Sequence, residues 1–108
     1  MTEIAHFIDN ARVAGTSGRS QPVFNPATGE AEKSVALASE GEVNAAVASA
    51  KAAWKTWSKT PPLRRARVLD RFKMILWDRA DQLAKAISAE HGKTHDDAVG
   101  EVTRGLEV

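Results

Sequence analysis

At Ser39 the sequence changes its period, and that change limits the fold more than any other feature in it. Up to Ala38, turn-forming residues alternate with short β-prone runs. From Ser39 onward, apolar residues recur at three- and four-residue steps almost to the end, the spacing of one helix face. Val43, Ala46, Val47, Ala50, Trp54 and Trp57 make the first stripe. Val68, Leu69, Phe72, Ile75, Leu76, Ala80, Leu83, Ala84 and Ile87 make the second, and Ala98, Val99, Val102 and Leu106 the third. Ser39 with Glu42 has the pattern of a capping box, in which hydroxyl and carboxylate each satisfy an orphan backbone N–H. Thr60-Pro61-Pro62 ends the first helix and opens the second, because proline is tolerated in a first turn. The second helix is expected from about Leu63 toward Glu90, with Trp77-Asp78 as the place where it can bend. Gly92 is its natural C-cap, and Thr94 with Asp97 caps a third helix.

Before Ser39 the punctuation is that of hairpins. His6 to Val13 reads as one, with Asn10 able to take the left-handed backbone of a tight turn. Gly15 to Ser20 is a polar loop. Gln21 to Phe24 and Glu32 to Ala38 read as a second strand pair, joined through Asn25-Pro26-Ala27-Thr28-Gly29. There Pro26 presets one torsion, and Gly29 supplies a positive φ without steric cost. The expected layout is therefore two N-terminal β-hairpins over residues 1–38, followed by three α-helices over 39–108. Isolated ribbons are marginal in water, so the hairpins need something to pack on.

Composition narrows the function classes. The chain has 108 residues, enough for one small domain with a modest core, and its 43% hydrophobic and 27% charged content is ordinary for a soluble protein. A net charge of +1 creates no bulk field to attract nucleic acid or a bilayer. No cysteine is present, so these residues hold no disulfide, zinc–thiolate site or thiol nucleophile. No apolar run approaches the length of a membrane span. The first residues, Met1 to His6, match neither a signal peptide nor a transit peptide. The expectation is a cytoplasmic bacterial protein without nucleic-acid or membrane partners.

Several clusters invite chemistry, and most have a plainer explanation. His91 and His95, with Asp96 beside them, have metal-ligand spacing, but Gly92 and Thr94 between them mark a helix break, so a polar turn is the better reading. Gly92-Lys93-Thr94 resembles the tail of a phosphate-binding loop, yet Ile87 stands where that motif needs its first glycine. A C-cap followed by an N-cap explains the three residues. Arg64, Arg65, Arg67, Arg71 and Lys73 form a basic cluster interleaved with Asp70, which reads as a solvated helix face. Trp54, Trp57 and Trp77 lie at or near stripe positions and read as packing volume. Arg104 is the exception. With Gly100 and Val108 it makes a second stripe on the far side of the third helix. Surface pairing with Glu101 or Glu107, three residues to either side, is one role for it. Bidentate capture of a carboxylate is the other.

Three stretches, "FIDNARVAGTSGRSQPVFNPATGE", "AAWKTWSKTPPLRRARVLDRF" and "AEHGKTHDDAVGEVTRGLEV", together resemble the opening of an aldehyde dehydrogenase. The NPATGE turn, W-x-x-W-S and E-x-G-K recur in that superfamily. "TWSKTPPLRRARVL" with "GEVTRGLEV" more closely resembles its methylmalonate-semialdehyde dehydrogenase branch, the CoA-acylating members. The resemblance covers essentially the whole chain and implies an α/β fold several times longer than 108 residues. On it, this chain is an N-terminal piece, inactive alone, whose helical region 39–108 packs on a Rossmann-like NAD-binding domain outside these residues. It implies aldehyde oxidation by a cysteine nucleophile with NAD, transfer of the acyl group to coenzyme A, and a homotetramer. By motif position, Arg104 in E-V-x-R-G would hold the carboxylate of a small carboxylated aldehyde. The sequence shows no Gly-rich strand–turn–helix for a pyrophosphate. The rival reading is a free-standing helical interaction module derived from such an enzyme.

Overall fold

The computed structural model describes residues 2–108. Five short strands precede four helices: β1 (Thr2–Ile4), β2 (His6–Ile8), β3 (Ala11–Val13), β4 (Ser20–Phe24), β5 (Ala31–Ala36), α1 (Glu40–Trp57), α2 (Pro62–Asp78), α3 (Ala80–His91) and α4 (His95–Glu107). The chain forms two compact units. One takes the chain up to Phe24 together with Ala31–Thr60, and the other takes Asn25–Glu30 together with Pro61–Val108.

In the first unit both expected hairpins are present. β2 and β3 pair antiparallel with Ile8 opposite Ala11, leaving Asp9 and Asn10 as a two-residue loop. Both take positive φ, 51° and 62°, which is the turn whose twist matches a hairpin. Ser49 on α1 donates to Asp9 Oδ1 at 3.2 Å, tying that turn to the helix. β4 pairs antiparallel with β5, and β1, which the sequence reading did not anticipate, adds in parallel on the other side of β5 to give the order β1-β5-β4. Pro22 has no N–H to donate, and it sits on β4, an edge strand, where that loss is tolerated. Gly15 is required by proximity: a Cβ there would lie 2.7 Å from the Cβ of buried Ala36.

Glu42 fastens this unit. Its Oε2 accepts from the Ser39 N–H at 2.7 Å and its Oε1 from the Thr16 N–H at 2.8 Å, while Ser39 Oγ accepts from the Glu42 N–H at 3.2 Å. The expected capping box is thus formed and extended to a loop 26 residues away. The two backbone donors, Ser39 first and Thr16 second, pull the Glu42 carboxyl down to about 2.

In the second unit the Asn25–Glu30 turn closes as its residues suggest. Asn25 N–H donates to Glu30 O and Gly29 N–H to Asn25 O, both at 2.8 Å, and Asn25 Oδ1 accepts from the Ala27 N–H at 2.8 Å. Gly29 has φ 75°. The helices differ from expectation in one respect: the long second helix is two helices, α2 and α3, divided at Arg79. Arg79 has φ −107° and ψ 15°, outside the α region, and neither proline nor glycine marks the place. Ala84 and Ala98, both completely buried, and Leu106 form the small core in which α3 meets α4.

What remains uncovered is as informative. Ala36, Ala84, Ala98 and Leu106 are the buried hydrophobic residues, and no large side chain among the described residues is fully buried. The stripes of α1 and α2 are amphipathic as expected, but Val43, Val47, Leu69, Phe72 and Ile75 all stay exposed. Trp54, Trp57 and Trp77 are 58%, 37% and 62% exposed, so none is a core residue within this chain, contrary to the expectation that they supply packing volume. Their spacing is right, but no element present lies over them.

Candidate functional site

Arg104 sits in the last turn of α4, where a cation complements the helix dipole. Thr94 opens the helix by accepting from the Asp97 N–H at 3.2 Å, and Asp96 and Asp97 place acids in the first turn. Along the stripe that Arg104 shares, Gly100 is half-buried, whereas Arg104 and Val108 are exposed. A Cβ on Gly100, or on neighbouring Gly105, would meet nothing within 4 Å. The helix therefore presents a bare backbone surface around its arginine.

The local pairing that spacing suggests for Arg104 does not form. Glu101, three residues earlier, instead takes the Lys93 ammonium in a charge-assisted hydrogen bond. Lys93 is the main cause of Glu101's lowered carboxyl pKa, and the positive field of Arg104 contributes without a direct bond. Arg104 has no ion pair among the described residues. The sequence reading missed the Lys93–Glu101 pair because the two are eight residues apart, across a helix cap, where no helical periodicity links them.

The competing clusters resolve as structure. Gly92 closes α3 with φ 83°, its N–H donating to Ser88 O at 2.9 Å, and a Cβ there would press on Pro26 at 3.1 Å. With Lys93 engaged and Thr94 capping α4, the phosphate-loop resemblance dissolves into two helix caps. These residues do not fit a dinucleotide pyrophosphate. His95 Nε2 lies 3.1 Å from Asp81 Oδ1, and Lys85 holds the same carboxylate at 2.7 Å. No group of three metal-ligating side chains occurs among the described residues. Arg64, Arg67 and Arg71 line an exposed side of α2. Beside Leu106 two apolar grooves remain open. One, of about 380 Å³, has Leu69, Phe72 and Leu76 along it, and the other, of about 370 Å³, has Leu83, Ile87 and Val102. No helix among the described residues is long and apolar enough to cross a membrane.

Residues 13–108 match the aldehyde dehydrogenase family. The chain belongs to the aldehyde dehydrogenase family. That family is one of oxidoreductases, and the fold described above is the aldehyde dehydrogenase fold. Malonate-semialdehyde dehydrogenase 3 of Geobacillus kaustophilus is 47% identical over 99% of this chain and 23% of its own length. The malonate-semialdehyde dehydrogenase of Pseudomonas aeruginosa is 46% identical over 94% of this chain and 20% of its own. Among solved structures, a Sinorhizobium meliloti protein assigned as a methylmalonate-semialdehyde dehydrogenase, complexed with NAD, superposes with a TM-score of 0.96 at 57% identity, over 99% of this chain and 22% of that one. A methylmalonate-semialdehyde dehydrogenase from Oceanimonas doudoroffii gives 0.95 at 50% identity, with the same coverages. This aldehyde dehydrogenase chain thus spans less than a quarter of the length of the relatives it matches.

Proposed function

We propose that this chain is the N-terminal segment of a CoA-acylating dehydrogenase of malonate or methylmalonate semialdehyde, and that Arg104 holds the substrate's carboxylate. The observation that carries the reading is an exposed guanidinium with no ion pair among the described residues, on a bare helix face, in a chain 50% identical to the methylmalonate-semialdehyde dehydrogenase of Oceanimonas doudoroffii. A planar fork with permanent charge suits a carboxylate held in one orientation. Anchoring that end of the substrate would fix the aldehyde carbon at the other end relative to the reacting groups.

The rest of the chemistry lies outside this segment. The thiol that would attack the aldehyde and the site for NAD, which accepts the hydride, belong to the remainder of the enzyme, and coenzyme A would take the acyl group. That remainder, a Rossmann-like domain included, would cover the stripes of α1 and α2 and the grooves beside Leu106. The enzyme would be a cytoplasmic homo-oligomer, and residues 1–108 alone would be inactive. The test is an NADH-forming assay of the intact enzyme with methylmalonate semialdehyde. Turnover that depends on coenzyme A and yields an acyl-CoA is expected, with none from the 108-residue segment. Hydrolysis to the free acid, indifferent to coenzyme A, would overturn the acylating assignment.

A further inference from the structure

We infer that Lys93 is a positioning residue that keeps Arg104 free for substrate by sequestering Glu101. This rests on the reading of Arg104 given above. An acid three residues before an arginine on the same helix is its default partner, and that pairing would place a resident carboxylate where the substrate's must go. In this structure Glu101 is turned away, bonded to Lys93. The two side chains are 26% and 38% exposed, so solvent screens the pair less than it would a fully exposed one. The charges Glu101 feels are those of Lys93, Arg104 and His91, in that order. With Lys93 removed, Arg104 is the strongest cation left to claim it.

The placement of Lys93 favours this role over a casual surface contact. Its backbone is set from both sides: Gly92, left-handed and without room for a side chain beside Pro26, closes α3, and Thr94 opens α4. The ammonium therefore projects from between two helix caps to Glu101, in the middle of the helix that carries Arg104. The same Lys93 that mimics a phosphate-loop lysine in the sequence is a charge sink for one particular glutamate.

The test uses the intact enzyme and the ratio of kcat/KM for malonate semialdehyde to that for propanal, which lacks the carboxylate. Lys93→Met is expected to lower this ratio about twofold, chiefly through KM, the size of effect a competing helix ion pair imposes. Lys93→Met/Glu101→Gln is expected to restore it to the parent value, because the competitor is gone, and Lys93→Arg is expected to keep it. Should Lys93→Met prove insoluble, Lys93→Gln removes the same charge and carries the same comparison. If Glu101→Gln alone lowers the ratio as much as Lys93→Met, or the double variant fails to recover, the pair is only a brace and the inference is overturned. Arg104→Leu separates the two layers. If it is selective for the carboxylated substrate while Lys93→Met is not, the Lys93 inference alone falls. If it affects both substrates equally, the Arg104 reading falls and takes the inference with it.

Discussion

Adding one methyl group at each of three glycines probes three different surroundings in this chain. At Gly15 the new Cβ would lie 2.7 Å from the Cβ of Ala36, well inside contact, and overpacking of that kind costs about 1–3 kcal/mol. At Gly92 the left-handed φ of 83° alone costs about 1 kcal/mol for alanine, and Pro26 at 3.1 and 3.2 Å adds to it. At Gly100, in the middle of α4, nothing lies within 4 Å, so alanine recovers the helix propensity that glycine forfeits, about 0.8–1 kcal/mol. Between Gly100→Ala and Gly92→Ala the difference is about 2–3 kcal/mol, or roughly 10–20 °C in Tm for a chain of this size. Thermal melts of the 108-residue chain, followed by far-ultraviolet circular dichroism, should rank Gly100→Ala above the parent and Gly15→Ala and Gly92→Ala below it. In the intact enzyme, where the proposed cover lies over α4, Gly100→Ala should lose its advantage. If Gly100→Ala destabilised the isolated chain as much as Gly92→Ala, the bare face assigned to α4 would be wrong.

Acid should loosen the chain in a defined window. Glu42 has its carboxyl near 2 in the fold against an ordinary value of 4.5, and Asp81 and Glu101 are lowered too, by Lys85 and Lys93 respectively. A lowered folded-state pKa gives stability that is complete above the unfolded value and lost as pH falls toward the folded one. Stability should therefore drop progressively from about pH 4.5 to about pH 2. A carbon-detected titration of the Glu42 carboxyl should show its midpoint near the lower end, and Glu42→Gln should remove part of the drop. A midpoint near 4.5 would mean the Ser39 and Thr16 donors are not engaged.

What the sequence disclosed divides along a physical line. The His6–Val13 hairpin, the Asn25–Glu30 turn and the Ser39–Glu42 cap were legible because each is settled by residues within a few positions of one another. β1 was not: its partner Lys33 lies 31 positions from Thr2 in a parallel pairing that leaves no local pattern. The division at Arg79 was legible only as a possible bend at Trp77-Asp78, because no proline or glycine marks a full break there. The apolar stripes are legible as stripes, but amphipathicity says which face wants cover and not what supplies it, so Trp54, Trp57 and Trp77 look like core in the sequence and are exposed in the fold. Arg104 stood out through its motif and its odd helix face. The Lys93–Glu101 pair beside it depends on the turn at Gly92, and only the folded chain brings those two together.

Exchange of one side chain tests the proposed role of Arg104 most directly. In the intact enzyme, kcat/KM for malonate semialdehyde and for propanal should be measured before and after Arg104→Leu. Loss of one partner from a desolvated ion pair costs about 2–5 kcal/mol, so the carboxylated substrate should lose roughly 30-fold or more relative to propanal. Equal losses on the two aldehydes would contradict the assignment of Arg104 to the substrate carboxylate.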